Sequence, residues 1–327
     1  MKPSKSPSVV PHGTVRPSIC CVVPAYNEAD GIATFLNGLC QHLASLTEHY
    51  EVIVVDDGSQ DGTGLEVIAA SGGLPVRLLS LSRNFGKEAA ISAGLEEAGG
   101  EVVVIIDADF QQPFAVISDF IGQWQQGYDM VYGLRTNRDT DPPLRRFLSR
   151  AFYRILSRCS ALEIPADAGD FRLLDRRVVD TLRGLPERSR FMKGLYSWVG
   201  FRSVAVPFVY GERHAGSSKF NFSRLFDLAM TGLTSFSAFP LRFSVAAGVL
   251  ASACSIVYAL YIIARTMMHG PAVPGWASLA VAVSFLGGIQ LMSIGLLGEY
   301  VARIFTEVKG RPNYIVAERH GFPERRP

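Results

Sequence analysis

Cysteine is scarce. The 327 residues hold five: Cys20, Cys21, Cys40, Cys159 and Cys254. The number is odd and no C-x-x-C spacing occurs, which argues against a disulfide scaffold and a zinc ribbon. We read the thiols as reduced and mostly buried, as in a cytoplasmic compartment. An excess of charge of one sign is missing too. The balance of 32 Lys and Arg against 30 Asp and Glu leaves a net +2, which lacks the basic face of a nucleic-acid binder. Residues 1–17 place Pro3, Pro7, Pro11 and Pro17 among Lys2, Lys5 and Arg16 with no apolar run behind them. They read as a disordered leader and not as a signal peptide. Internal repeats and low-complexity tracts are absent, and the composition fits neither a disordered nor a collagen-like chain.

What the chain has is length for about two domains and a mean hydropathy of +0.19, which points to lipid-embedded segments. Residues 243–264 and 276–298 contain no charged side chain. At 1.5 Å rise per residue the first reaches roughly 33 Å, enough for a hydrocarbon core of about 30 Å. Between them, 265–275 holds Pro271 and Pro274 and reads as a turn, so 243–298 is expected to be a transmembrane hairpin. Two buried helices of a soluble protein are the alternative, and two spanning lengths in tandem argue against it. Arg224, Arg242, Arg303, Lys309 and Arg311 flank one side, while Arg265 and His269 flank the other. The positive-inside rule then sets residues 1–242 and both termini on the cytoplasmic face of the inner (cytoplasmic) membrane.

Upstream of the hairpin, Val- and Ile-rich runs at 19–24, 51–56, 76–81, 102–107 and 130–132 alternate with amphipathic stretches at 31–46, 62–70, 87–98 and 114–126. This pattern predicts an α/β domain with a mostly parallel, Rossmann-like sheet covered on both faces. Ligands of such sheets bind beyond the carboxyl ends of the strands. The polar clusters PAYNE, DDGSQDGT and DADFQQP fall at those ends. Residues 142–162 carry Arg145, Arg146, Arg150, Arg154 and Arg158 among Leu, Phe, Tyr and Ile. This basic amphipathic segment suits an anionic membrane surface, or else an arginine face packed on the domain. A second amphipathic stretch, 222–239, leads into the first span and is expected to lie in the interface.

Asp107 and Asp109 follow the run VVVII. In an extended chain, residues two apart point to one side, so Asp107, Asp109 and Gln111 aim oxygen ligands at one point. Oxygen-only ligation suits Mg²⁺ or Mn²⁺ held partly through substrate phosphates. Solvated strand-end acids are the plainer reading of the motif alone. At Asp56 and Asp57, one carboxylate can accept from a base or ribose. Asp61 and Gly62 have the plainer character of a turn or helix cap. Pro24, Tyr26 and Glu28 end the first strand, where Tyr26 can line a base pocket. Arg83 and Lys87 stand beside a helix N-terminus, a natural phosphate site. Arg135, after the fifth strand, is a further phosphate candidate.

Together these motifs resemble the family 2 glycosyltransferases of GT-A fold. GDFRLLDRR at 169–177, ERSRFMKGLYSWVGFR at 187–202, ERHAGSSKF at 212–220, TSFSAFPLR at 234–242 and GLLGEYVARIFTEVKGRPNYIV at 295–316 are similar to the polyprenyl-phosphate glycosyltransferases. That group includes bactoprenol glucosyltransferases and, more distantly, dolichol-phosphate mannose synthases. The resemblance covers about residues 18–318. It implies nucleotide contacts from Pro24, Tyr26, Glu28, Asp56 and Asp57, and metal and diphosphate work from Asp107, Asp109 and Gln111. It implies an acidic group near the reacting sugar at Asp170, unless Arg172 or Arg176 pairs with it structurally. A phosphate-holding segment is implied at Arg213, Ser218 and Lys219. Gln112 departs from the family, where many members carry Asp, and Phe110 replaces Leu.

The implied organisation is a glycosyltransferase domain at 18–220, an interfacial helix at 221–242, the hairpin at 243–298 and a cytoplasmic tail at 299–327. The implied reaction is inverting, metal-dependent transfer of a sugar to undecaprenyl (polyprenyl) phosphate for cell-envelope glycan modification. UDP-glucose is the first donor by resemblance, with GDP-mannose, UDP-N-acetylglucosamine and UDP-galactose open. Arg145 and Arg146 would attract the lipid phosphate. A processive synthase would bring a Q-x-x-R-W motif and more spans. A scaffold or flippase component would leave the strand-end acids unexplained. Small residues in the hairpin offer a face for a second copy, hence a possible homo-oligomer.

Overall fold

The structure, a computed structural model, describes residues 16–136, 168–188, 190–211, 239–269 and 275–323. The basic segment 142–162 with Arg145 and Arg146, the segment with Arg213, Ser218 and Lys219, the interfacial stretch 221–238 and Cys159 lie outside the described residues. So does the leader up to residue 15; Pro17, its last residue, is already buried.

The Val- and Ile-rich runs become strands because a strand covered on both faces has no polar side. They are β1 (Ile19–Ala25), β2 (Tyr50–Asp56), β3 (Val76–Leu81), β4 (Val102–Ile105) and β5 (Met130–Arg135). Between them lie α1 (Ala29–Leu46), α2 (Thr63–Ser71), α3 (Lys87–Glu97) and α4 (Ala115–Gln125). β6 (Ala168–Asp175), α5 (Arg176–Arg183), α6 (Met192–Trp198) and β7 (Ser203–Phe208) follow. The sheet has eight strands among the described residues, in the order β7-β5-β6-β4-β1-β2-β3-β8, with β8 at Val316–His320. Strands β1, β2, β3 and β4 run parallel, β6 is antiparallel to β4 and β5, and β8 is antiparallel to β3.

The two faces divide the side chains of each strand by alternation. Cys21 and Val23 of β1 join α1 and α4 through Phe35, Leu36, Leu39 and Phe120. Cys20 and Val22 join α3, α5 and α6 through Ile91, Leu95, Val178 and Leu195. Cys20, Cys21 and Cys40 are buried free thiols, and burial pushes Cys40 up to about 11. These core thiols are poor nucleophiles.

Two long apolar helices follow: α7 (Phe239–His269) and α8 (Trp276–Lys309). Within them Ser244–His269 and Phe285–Lys309 are long and apolar enough to cross a membrane, and neither is buried by the described residues. The helices outrun the uncharged stretches. Arg265 continues α7 and is not part of a turn, and α8 passes Gly298 to stop at Gly310, whose φ of 64° is the left-handed helix stop that favours glycine.

Of residues 299–327, expected to be a tail, the described part, to 323, continues α8 and then returns to the α/β domain. Ser82 N–H donates to the Ile315 carbonyl (2.9 Å), β8 pairs with β3, and Arg319 pairs with Glu97 of α3. Arg188 N–H donates to the Glu307 carboxylate of α8 (2.9 Å).

Candidate active site

Strand register builds the site. β1 and β2 end side by side at Ala25 and Asp56. Ile105, the end of β4, pairs with Arg172 of antiparallel β6. Beyond that last pair, Asp107 follows the end of β4 and Asp170 lies near the start of β6, so both stand at the same end of the sheet. Loops after β1, β2 and β4 and the start of β6 therefore meet at one sheet edge.

Backbone-to-side-chain bonds tie the first two loops together. Asn27 N–H donates to Ser59 Oγ (2.9 Å), Gln60 N–H to Asn27 Oδ1 (2.9 Å), and Glu28 N–H to Thr63 Oγ1 (2.9 Å). Asn27 takes φ 56° to do this, a conformation that asparagine tolerates better than most residues. Pro24 is the second-last residue of β1, and Tyr26, just past the strand's end at Ala25, is left 44% exposed. Asp56 is buried and accepts from Ser59 N–H (3.0 Å). Asp61 holds Thr63 N–H (2.9 Å) and Ala29 N–H (3.2 Å), the plain turn role expected of it.

Asp57 has a different task from its neighbour. Its two oxygens accept from Phe85 N–H (2.7 Å) and Gly86 N–H (2.9 Å), which fixes the loop leading into α3. Burial raises its carboxyl, and these two N–H donors oppose the rise. Gly58, at φ 69°, lies so close to Arg83 that a Cβ would overlap its backbone. This clamp presents Lys87, the first residue of α3, to the sheet edge.

Lys87 Nζ lies 2.6 Å from Asp107 Oδ1 and 3.0 Å from Asp170 Oδ2. The other Asp107 oxygen accepts from Gln112 Nε2 (2.8 Å), while Asp107 N–H donates to Gln112 Oε1 (3.0 Å). The chain turns at 108–110 and is not extended between Asp107 and Gln111, a correction to the expectation from alternation. Phe110 takes φ 58°, and Gln111 N–H donates to Asp109 Oδ1 (3.0 Å). Asp107 and Asp109 both act on Tyr210, whose phenol is raised by burial and then by these two carboxylates. Arg135, the last residue of β5, lies 4.8 Å from the Tyr210 ring.

Beneath Asp170 is a buried polar floor that sequence reasoning missed. Arg172 donates to the Gly169 carbonyl (2.7 Å) and stacks 3.6 Å over the Tyr196 ring. Glu88 accepts from Met192 N–H (3.1 Å). Asp170 Oδ1, Arg172 Nε and Tyr196 Oη are buried without a hydrogen-bond partner among the described residues. Burial alone would raise Asp170, but Lys87, Lys193 and Arg172 hold it at about 2, so it stays ionised. Burial, and then Asp170, push Glu88 up to about 7. Arg176 does not pair with Asp170; it donates to the Ala98 and Gly100 carbonyls (3.1 and 2.8 Å).

No cluster of three Asp, Glu, His or Cys occurs among the described residues, so these residues by themselves build no closed metal cage. Asp107, Asp109 and Gln111 offer oxygen donors only, a chemistry that would suit a hard cation completed by phosphate oxygens.

Residues 20–183 match the glycosyl transferase family 2 domain. The chain belongs to this family. It is 42% identical over 302 residues to the uncharacterized glycosyltransferase sll0501 of Synechocystis, covering 92% of this chain and 95% of the relative. It is 43% identical over 304 residues to the SfII prophage-derived bactoprenol glucosyl transferase of Shigella flexneri, covering 92% and 98%. Against the solved mannosyltransferase PcManGT from Pyrobaculum calidifontis in complex with GDP-Man and Mn²⁺, the TM-score is 0.44 at 20% identity, over 93% of this chain and 90% of that one. This family 2 glycosyltransferase, of GT-A fold, brings Asp107, Asp170 and Lys87 into contact and sets Asp56 at the end of β2 with Asp57 just after it. Gln112 locks Asp107 where many family members carry an acid; the sequence signal was the departure itself.

Proposed function

We propose that this glycosyltransferase transfers glucose from UDP-glucose to a polyprenyl phosphate, undecaprenyl phosphate first, with inversion at the sugar, on the cytoplasmic face of the inner membrane. The observation that carries the reading is that one sheet holds both the acidic site and β8, the strand delivered after two membrane-length apolar helices. Pairing of β8 with β3 brings the chain after the second apolar helix back to the domain, as a helical pair with both ends on one side would. That supports a hairpin independently of the positive-inside count. The bactoprenol names of relatives above 40% identity support the lipid acceptor.

In this reading Pro24, Tyr26, Glu28 and Asp56 face the nucleotide, and Asp57 serves it by fixing the loop that carries Lys87. Asp107, Asp109 and Gln111 would hold Mg²⁺ or Mn²⁺. Such an ion supplies Lewis-acid neutralisation of the departing diphosphate. Lys87 adds a positive charge at the same place, where charge develops as the bond breaks. The acceptor phosphomonoester has a second pKa of about 6 and is mostly ionised at neutral pH, so no strong base is needed. Asp170, held ionised by Lys87, orients the reacting groups. Arg135, Arg145, Arg146, Arg213, Ser218 and Lys219 form the phosphate and acceptor side of the proposal.

The test uses the full chain in nanodiscs with labelled UDP-glucose and a short polyprenyl phosphate. We expect a chloroform-extractable labelled product, lost in excess chelator. Asp109→Ala should stay folded and lose roughly 10²-fold or more in kcat. Transfer from GDP-mannose, UDP-N-acetylglucosamine or UDP-galactose alone would change the donor. No transfer from any of these donors would remove the proposal.

A further inference from the structure

We propose that Lys87 is the resident counter-ion of this site: it occupies the Asp107 oxygen that a divalent cation needs, so that metal binding here is an exchange of cations. The inference rests on the metal reading given above and deepens it.

Both oxygens of Asp107 are taken, and their partners differ in freedom. Gln112 is 2% exposed and held at both ends of its amide by Asp107 itself. Lys87 is 43% exposed on a flexible four-carbon stem. Oδ1, paired with Lys87 at 2.6 Å, is therefore the oxygen that can be freed. The loop need not move for this, because Asp57 clamps Phe85 and Gly86, so the exchange is a side-chain rotation. Asp170, 3.0 Å from Nζ, keeps the released ammonium in the site.

The position of Lys87 is itself informative. The first residue of a helix sits at the positive end of the macrodipole, where a cation is disfavoured. Two carboxylates from other strands reverse that preference.

Mn²⁺ binding to the full chain in nanodiscs, measured by electron paramagnetic resonance without nucleotide, tests this. Lys87→Gln should bind Mn²⁺ about fivefold tighter than wild type or better, the scale of one lost ion pair. Lys87→Arg, which keeps the charge, should stay within about twofold of wild type. So should Arg83→Gln, which removes a nearby charge resting on the Phe85 ring and the Asn84 carbonyl.

No tightening in Lys87→Gln, or an equal gain in Arg83→Gln, overturns the exchange. Asp109→Asn separates this failure from failure of the metal reading. If it abolishes Mn²⁺ binding while Lys87→Gln gains nothing, the exchange alone falls. If Mn²⁺ binding to Lys87→Gln survives the added Asp109→Asn, the metal site falls and the exchange with it.

Discussion

Asp170 and Glu88 sit in one buried neighbourhood and are driven in opposite directions. The depressed carboxyl of Asp170, at about 2, contributes stability that is present above its unfolded value near 4 and is lost as pH falls through 2. Glu88 is raised to about 7, so its contribution is full below its unfolded value of about 4.5 and is lost as pH rises through 7. Between pH 5 and 7.5 the two therefore separate, since only Glu88 titrates. Glu88→Gln keeps an acceptor for Met192 N–H and removes the titration. It should raise stability at pH 7.5 by on the order of 1–2 kcal/mol and leave it nearly unchanged at pH 5. Denaturant unfolding at the two pH values reads this; an equal effect at both would place the Glu88 perturbation elsewhere. The Asp107 and Asp109 motif was visible in the sequence, while Asp170 was pointed to only by the family resemblance. Their link was not visible, because Lys87 is brought to Asp170 across 83 positions by strand register and an Asp57 clamp.

The legibility of each element follows from how it is held. β1, β2, β3 and β4 are covered on both faces, so apolar runs announced them within a residue or two. β6 was not called a strand, since Asp170 and Arg172 interrupt its run for the sake of the site. β8 has four exposed residues in five; backbone pairing to the β3 edge decides its place and leaves no hydropathy signal. α3 shows the opposite case. Gly94 lets the helix approach β1 so closely that a Cβ would overlap Val22 Cγ1. Gly94→Ala should gain helix propensity yet destabilise the domain by about 1–3 kcal/mol through overpacking. A thermal melt at or above the wild-type midpoint would contradict that close contact.

At the scale of the whole molecule, the two long apolar helices were legible from charge-free length, and the proposed orientation rests on the flanking arginines. The return of the chain to the sheet was not legible, because it depends on a long-range pairing. The proposed topology gives a direct test. In a background free of other reactive thiols, Ala272→Cys should react with a membrane-impermeant maleimide from outside intact cells. Glu318→Cys should react only after permeabilisation. Labelling of both, or of neither, from outside would exclude a hairpin with the domain inside. One consequence concerns biogenesis. The ribosome makes β8 after α7 and α8, so the β3 edge waits unpaired until the apolar pair has been synthesised. A nascent chain stalled before Val316 carries an open sheet edge, a template for unwanted strand pairing. Closing that edge therefore has to follow the synthesis of both apolar helices.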